Sequence, residues 1–314
     1  MSGTVVIAGG VGAAKFLRGL VQVVEPRSVT AVVNVADDFR LHGLAISPDL
    51  DTVTYTVSDQ VNPETGWGRV GESWRVMEEL DRYGGETWFS LGDLDLALHL
   101  FRTQRLSEGA TLREISSEVA AAWKLGLDLL PVSNDPIATK LEVDGSDIDF
   151  QDYFVARKHD VAITAVRFEG IENAAPAPGV LDAINTADTI VLAPSNPIVS
   201  IGPVIGVPGV RDALAARRER VVAMSPIVGG AALKGPAARM LTELGHDASA
   251  VGVARLYRDL ASVLVIDDAD ADLAAAVAAE GMRPFVTDTI MSDPERAADI
   301  ARTTLGAVDT EESR

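Results

Sequence analysis

The sequence predicts an α/β fold of Rossmann-like type, a mainly parallel sheet with helices on both faces. Three observations predict it. Short apolar runs alternate with helical stretches along most of the chain. The first of these runs ends in a glycine-rich turn that opens a helix. No stretch rich in Gly, Ser or Pro is long enough to divide the 314 residues into independent units.

Residues 4–9, TVVIAG, read as the first strand, followed by the turn GGVGAAKF and a helix through Val24. Residues 30–35, TAVVNV, read as a second strand, a buried run as a parallel strand covered on both faces should be. Further strands are expected at residues 86–91, 128–133, 161–166, 189–194, 220–226 and 262–267. Residues 137–154 differ, because two alternating runs flank Asp144-Gly145, a tight-turn pair, and predict a small antiparallel hairpin excursion. Residues 67–130 are rich in helical patterning and predict a helical cap beside the sheet. The expected organisation is one domain over residues 1–310, a helical and hairpin insertion at about residues 67–160, and a polar tail at 311–314.

Composition narrows the function classes. The chain carries 27 Lys and Arg against 46 Asp and Glu, a formal charge of −19. A nucleic acid or an anionic membrane is therefore not an expected partner. With no cysteine there is no disulfide frame, thiolate nucleophile or zinc–thiolate site. No apolar run reaches the roughly 18 residues of a spanning helix, and no leader pattern precedes the first strand, so a soluble cytoplasmic protein is expected.

The loop Gly9-Gly10-Val11-Gly12-Ala13-Ala14-Lys15 joins strand to helix, where free N–H groups and the positive helix end attract phosphate. It matches neither a Walker loop nor the dinucleotide fingerprint. Asp37 and Asp38 follow the second strand directly, and Asp49 and Asp51 lie in a turn opened by Pro48, spaced to present carboxylates to one point. Carboxylates crowded at a strand end beside a glycine loop repel one another until a cation neutralises them, which points to Mg²⁺ where phosphate is near. Loops after the later strands, at residues 91–95, 195–203 and 225–236, supply hydroxyls, an amide and glycine backbone suited to diphosphate oxygens or a base edge. Of four histidines only His42, between the acidic clusters, is placed to matter, the rest reading as surface or packing residues. Trp67, in ETGWG, could face a flat ring.

These blocks resemble the 2-phospho-L-lactate transferase family of deazaflavin coenzyme (F420) biosynthesis. The likeness spans nearly the whole chain through GGVGAAKF, VVNVADD, HGLAISPDLDT, TYTVSDQVNPETGWG, LGDLDLALH, PVSNDP, DFQDYF, APSNPIVSIGPVIGVPG and MSPIVGGAALKGPA. It implies an enzyme that moves 2-phospho-L-lactate from lactyl-2-diphospho-5'-guanosine to the terminal ribityl hydroxyl of the deazaflavin Fo, releasing GMP with the help of Mg²⁺. It implies Asp37 and Asp51 as catalytic, Asp37, Asp49 and Asp51 as metal ligands, and Asp51 with Ser90 as the Fo contacts. Gly9, Gly10, Gly12 and Lys15 would meet the donor phosphates, and Asn196, Pro197, Ser200, Gly202, Ser225 and Gly229 would line the nucleotide pocket. Ser90 and Leu94 stand where members often carry a basic residue. The family forms homodimers. Two other readings are an enolpyruvyl donor giving the dehydro product and a non-catalytic nucleotide-sugar-binding regulator of the same fold.

Overall fold

A computed structural model describes residues 3–233 and 235–309 of the chain. Seven strands form one parallel sheet: β1 (Thr4–Ala8), β2 (Val29–Val33), β3 (Asp128–Pro131), β4 (Thr189–Leu192), β5 (Val221–Met224), β6 (Val263–Ile266) and β7 (Arg283–Val286). Their order across the sheet is β7-β6-β5-β4-β1-β2-β3, and every pairing is parallel. Ile7, Val32, Leu192 and Val222 are wholly buried, each side chain contributing about 1.5–3 kcal/mol through removal from water.

The order sets a topological switch point. From β1 the chain runs outward to β2 and β3, then returns to β4 on the other side of β1. In open α/β sheets the crevice that takes ligands lies at such a point, here the carboxyl ends of β1 and β4. Helix α1 (Gly10–Leu20) leaves this crevice and packs against α2 (Pro48–Val57) and the C-terminal helix Pro294–Asp309. The latter approach is close: a Cβ on Gly19 would stand 2.2 Å from the Ala297 carbonyl carbon.

Two larger excursions, separated by β3, leave the sheet before β4, and a short hairpin of Ile227–Val228 and Ala231–Ala232 follows β5. The first holds a hairpin of Phe39–Leu41 and Leu44–Ile46 and the helical cap, α3 (Arg75–Arg82), α4 (Asp93–Ser107) and α5 (Leu112–Ala122). The second is the antiparallel sheet predicted around Asp144-Gly145, whose φ values of 51° and 75° are those of the expected turn. It gains a third strand, Ala165–Glu169, which accounts for the run at 161–166 and corrects its expected place in the parallel sheet. That strand is half-exposed, as one layer of a small sheet is, rather than covered on both faces. The strand expected at 86–91 is absent. Trp88 and Phe89 pack their rings on Phe39 instead, at 6.3 and 4.9 Å, and Leu91 joins a small core with Leu41, Ile46 and Met77. Strand β7 went unread because its residues are only partly buried and show no apolar run. The tail at 311–314 lies outside the described residues.

Candidate active site

Strand β1 delivers the chain to Gly9 in extended backbone, and Gly10 turns with φ 70°, a left-handed conformation that favours glycine. The Gly10 N–H donates to Asp49 Oδ1 at 2.7 Å. A Cβ on Gly12 would lie 2.1 Å from the Pro194 carbonyl oxygen, and one on Gly9 2.9 Å from Ser200 Cβ. The loop is thus laid directly on the segment that follows β4, main chain against main chain. Lys15 Nζ donates to the Met291 carbonyl at 3.2 Å.

Pairing of β2 with β1 continues one residue past the strand, where Asn34 N–H donates to Ala8 O at 2.9 Å. This seats the Asn34 side chain at the mouth of the crevice. Its amide nitrogen donates to Asp49 Oδ2 at 2.9 Å and to Asp37 Oδ2 at 3.2 Å, gathering the two carboxylates. The antiparallel excursion closes the other side: Thr139 Oγ1 donates to Asp37 Oδ1 at 3.1 Å, and Gln151 Nε2 to the Asp37 carbonyl at 3.2 Å. Ser47, which precedes α2, gives its hydroxyl to Asp38 Oδ2 at 2.6 Å rather than capping the helix. Asp38 Oδ1 is buried and without a partner.

Burial lifts all four carboxyls of this region above their ordinary value of 3.8. Asp37 rises well above it, through burial and then the charge of Asp49. Asp49 is pushed up to about 6 by burial, against the hydrogen bonds from Asn34 and Gly10. Crowded, desolvated carboxylates with an orphan oxygen are a hard-oxygen donor set that a divalent cation would relieve.

Asp49 and Asp51 sit two apart in the first turn of α2, so their side chains project in different directions. Asp51 therefore meets a separate set of partners, not the single point expected from its spacing. Arg102 grips it with both terminal nitrogens. His99 Nδ1 lies 3.6 Å from Asp51 Oδ2, and its Nε2 3.4 Å from Asp95 Oδ1. Asp95 also accepts from the Tyr55 hydroxyl at 2.5 Å. Burial raises the Asp51 carboxyl while Arg102 opposes it; Asp95 ends below its ordinary value because His99, Tyr55 and Arg102 outweigh its burial. Among the described residues, Asp51, Asp95 and His99 are the one trio with metal-ligand spacing. The Arg102 guanidinium already neutralises Asp51.

The network of Tyr55, Asp95, His99 and Arg102 was missed. Asp95, His99 and Arg102 recur at i, i+4 and i+7, which places them on one face of α4; that stripe was the available signal. His42, singled out instead, is exposed at a left-handed turn with φ 54°.

The other expected residues are dispersed. Ser90 is exposed in the irregular segment before Leu91. Asn196 accepts from the N–H groups of Ile198 and Val199 at 2.9 and 3.4 Å, capping the turn Pro197–Ile201 at the crevice. Pro197 is buried in that turn, and a Cβ on Gly202 would stand 3.2 Å from its carbonyl oxygen. Ser200 faces Gly9 and Gly10. Ser225 and Gly229 lie beyond β5: Ser225 bonds Ile227 locally, and Gly229 N–H donates to both Asp270 oxygens at 3.1 and 3.0 Å.

The description 2-phospho-L-lactate transferase CofD belongs to a family model that matches residues 4–305. The chain is 44% identical over 307 residues to a phosphoenolpyruvate transferase of Streptomyces griseus subsp. griseus, with 96% of each chain covered. It is 36% identical over 306 residues to a 2-phospho-L-lactate transferase of Methanosarcina acetivorans, covering 98% of this chain and 99% of that one. Its fold resembles the crystal structure of protein BH3568 from Bacillus halodurans, with a TM-score of 0.65, 21% identity, and 97% and 99% of the two chains covered.

Proposed function

The chain belongs to the 2-phospho-L-lactate transferase CofD family and is a transferase, and on that premise we propose that it moves 2-phospho-L-lactate from lactyl-2-diphospho-5'-guanosine to the terminal ribityl hydroxyl of Fo, releasing GMP. What carries the reading is the pair Asp37 and Asp49, buried, sharing the Asn34 amide, and set against the glycine loop at the switch point.

The new bond joins the ribityl oxygen to the distal phosphorus, and the bond from that phosphorus to the bridging oxygen breaks, so negative charge gathers on the departing GMP. The chain has five lysines, and Arg102, a cation beside the cluster, is already engaged by Asp51. Asp37 and Asp49, with the orphan oxygen of Asp38 beside them, would hold Mg²⁺, which supplies Lewis acidity for that charge. Asp51 accepts the hydrogen bond of the attacking hydroxyl and takes its proton, passing it to solvent. Gly9, Gly10 and Ser200 border the donor diphosphate.

A second donor is favoured by one observation: the relatives at 44% and 42% identity are phosphoenolpyruvate transferases, against 36% for the first phospholactate enzyme. The enolpyruvyl donor requires the same bonds to form and break. Purified protein incubated with Fo, Mg²⁺ and each guanylylated donor is expected to release GMP. The faster donor identifies the physiological one, and no release from either contradicts the proposal.

A further inference from the structure

We propose that Arg102, supported by His99, is a positioning residue that fixes the plane of the Asp51 carboxylate toward the acceptor hydroxyl, so that helix α4 of the cap sets acceptor geometry. The proposal rests on the assignment of Asp51 to the acceptor made above. Arg102 is 3% exposed and His99 1% exposed. The guanidinium meets Asp51 through both terminal nitrogens, and the same Nη1 reaches the Ala45 carbonyl and His99 Nδ1, each at 3.2 Å. His99 is in turn flanked by Asp95, which Tyr55 anchors. Rotation of the Asp51 carboxylate therefore breaks a bond to a buried side chain that is itself hydrogen-bonded to Ala45 and His99.

Stability alone does not explain such an arrangement, because a buried ion pair is often no more stabilising than apolar residues of equal volume. What a planar fork adds is direction. It holds both carboxylate oxygens in one plane, which a lysine ammonium, a single point charge, does not. Misplacement of an orienting group by about 1 Å can lower a rate about 100-fold.

The test compares Arg102→Lys, Arg102→Ala and His99→Asn with the wild type. It reads kcat and KM for Fo, Fo affinity by equilibrium titration, and GDP affinity by calorimetry. Arg102→Lys, which retains the charge, is expected to lower kcat/KM for Fo by about 100-fold and to leave GDP affinity unchanged. His99→Asn is expected to do the same to a smaller degree. Added guanidinium is expected to restore part of the Arg102→Ala rate by refilling the vacated volume. Wild-type Fo parameters in folded Arg102→Lys overturn the proposal, as does a parallel loss of Fo and GDP affinity, the mark of a merely structural role. Should Arg102→Ala fail to fold, the lysine and asparagine variants still decide. If the wild type releases no GMP from either donor, the functional reading has failed; Fo affinity then decides this inference on its own, and an unaltered value in Arg102→Lys overturns it.

Discussion

Asp49 Oδ1 accepts a hydrogen bond from the Gly10 main-chain nitrogen at 2.7 Å, so a carboxylate of the protein itself sits at the positive end of α1. The glycine loop is thereby tied to the acidic cluster, and the first N–H of the turn is already engaged. In the proposed reaction, donor phosphate and cation would share this corner with Asp49, so that loop and cluster would act as one site.

Replacing Asp49 by Asn removes a desolvated charge but keeps only one of its two hydrogen bonds, to Gly10 or to Asn34. We expect Asp49→Asn to stabilise the metal-free protein at neutral pH by about 1–2 kcal/mol and to weaken the stabilising effect of Mg²⁺. Thermal melts with and without Mg²⁺ measure both; a less stable metal-free variant contradicts the account.

The raised carboxyls fix a pH dependence. For Asp37, Asp38, Asp49 and Asp51 the folded-state pKa exceeds the ordinary 3.8, so their contribution to stability is present below about pH 4 and is lost as pH rises. For Asp49 the loss is complete above about pH 6, on the order of 3 kcal/mol. The metal-free protein is expected to melt at a lower temperature at pH 7.5 than at pH 5.5, with saturating Mg²⁺ reducing the gap. A melting temperature that rises across this window counts against a desolvated cluster.

Gly12→Ala would drive a methyl group to 2.1 Å from the Pro194 carbonyl oxygen, backbone against backbone. The expected loss is about 3 kcal/mol or more, seen as a lower melting temperature or insoluble protein. Normal stability with impaired donor binding would instead make Gly12 a phosphate contact.

Asp51→Asn leaves the buried Arg102 guanidinium without its counter-charge, at an expected cost of about 3–5 kcal/mol, and is expected to abolish turnover. Joining it to Arg102→Met removes both charges and should recover most of the stability with none of the activity. Chemical denaturation of the two single variants and the double variant gives the coupling; additive losses contradict the pairing.

Much of the fold was legible because β1, β2, β4, β5 and β6 are covered on both faces and so read as continuous apolar runs. The failures have physical reasons. The aromatic run at 86–91 mimics a strand, yet its rings find partners in Phe39 without any ladder. Strand β7 lies at a partly exposed edge and carries Arg283 and Pro284. Asp37, Asp49 and the glycines were visible as short local motifs at strand ends. Asp95 was visible in the loop at 91–95, but its link to His99 and Arg102 was not, because a charged stripe on a helix faces solvent unless another element brings a counter-charge, and α2 does so only in the folded molecule.

Crystals grown with GDP, Fo and Mn²⁺ in place of Mg²⁺ test the central claim most directly, because manganese is located by its anomalous scattering. The account predicts a peak bound by Asp37 and Asp49, the diphosphate beside Gly10, and the ribityl hydroxyl against Asp51. Manganese and both compounds seated away from those aspartates would contradict it.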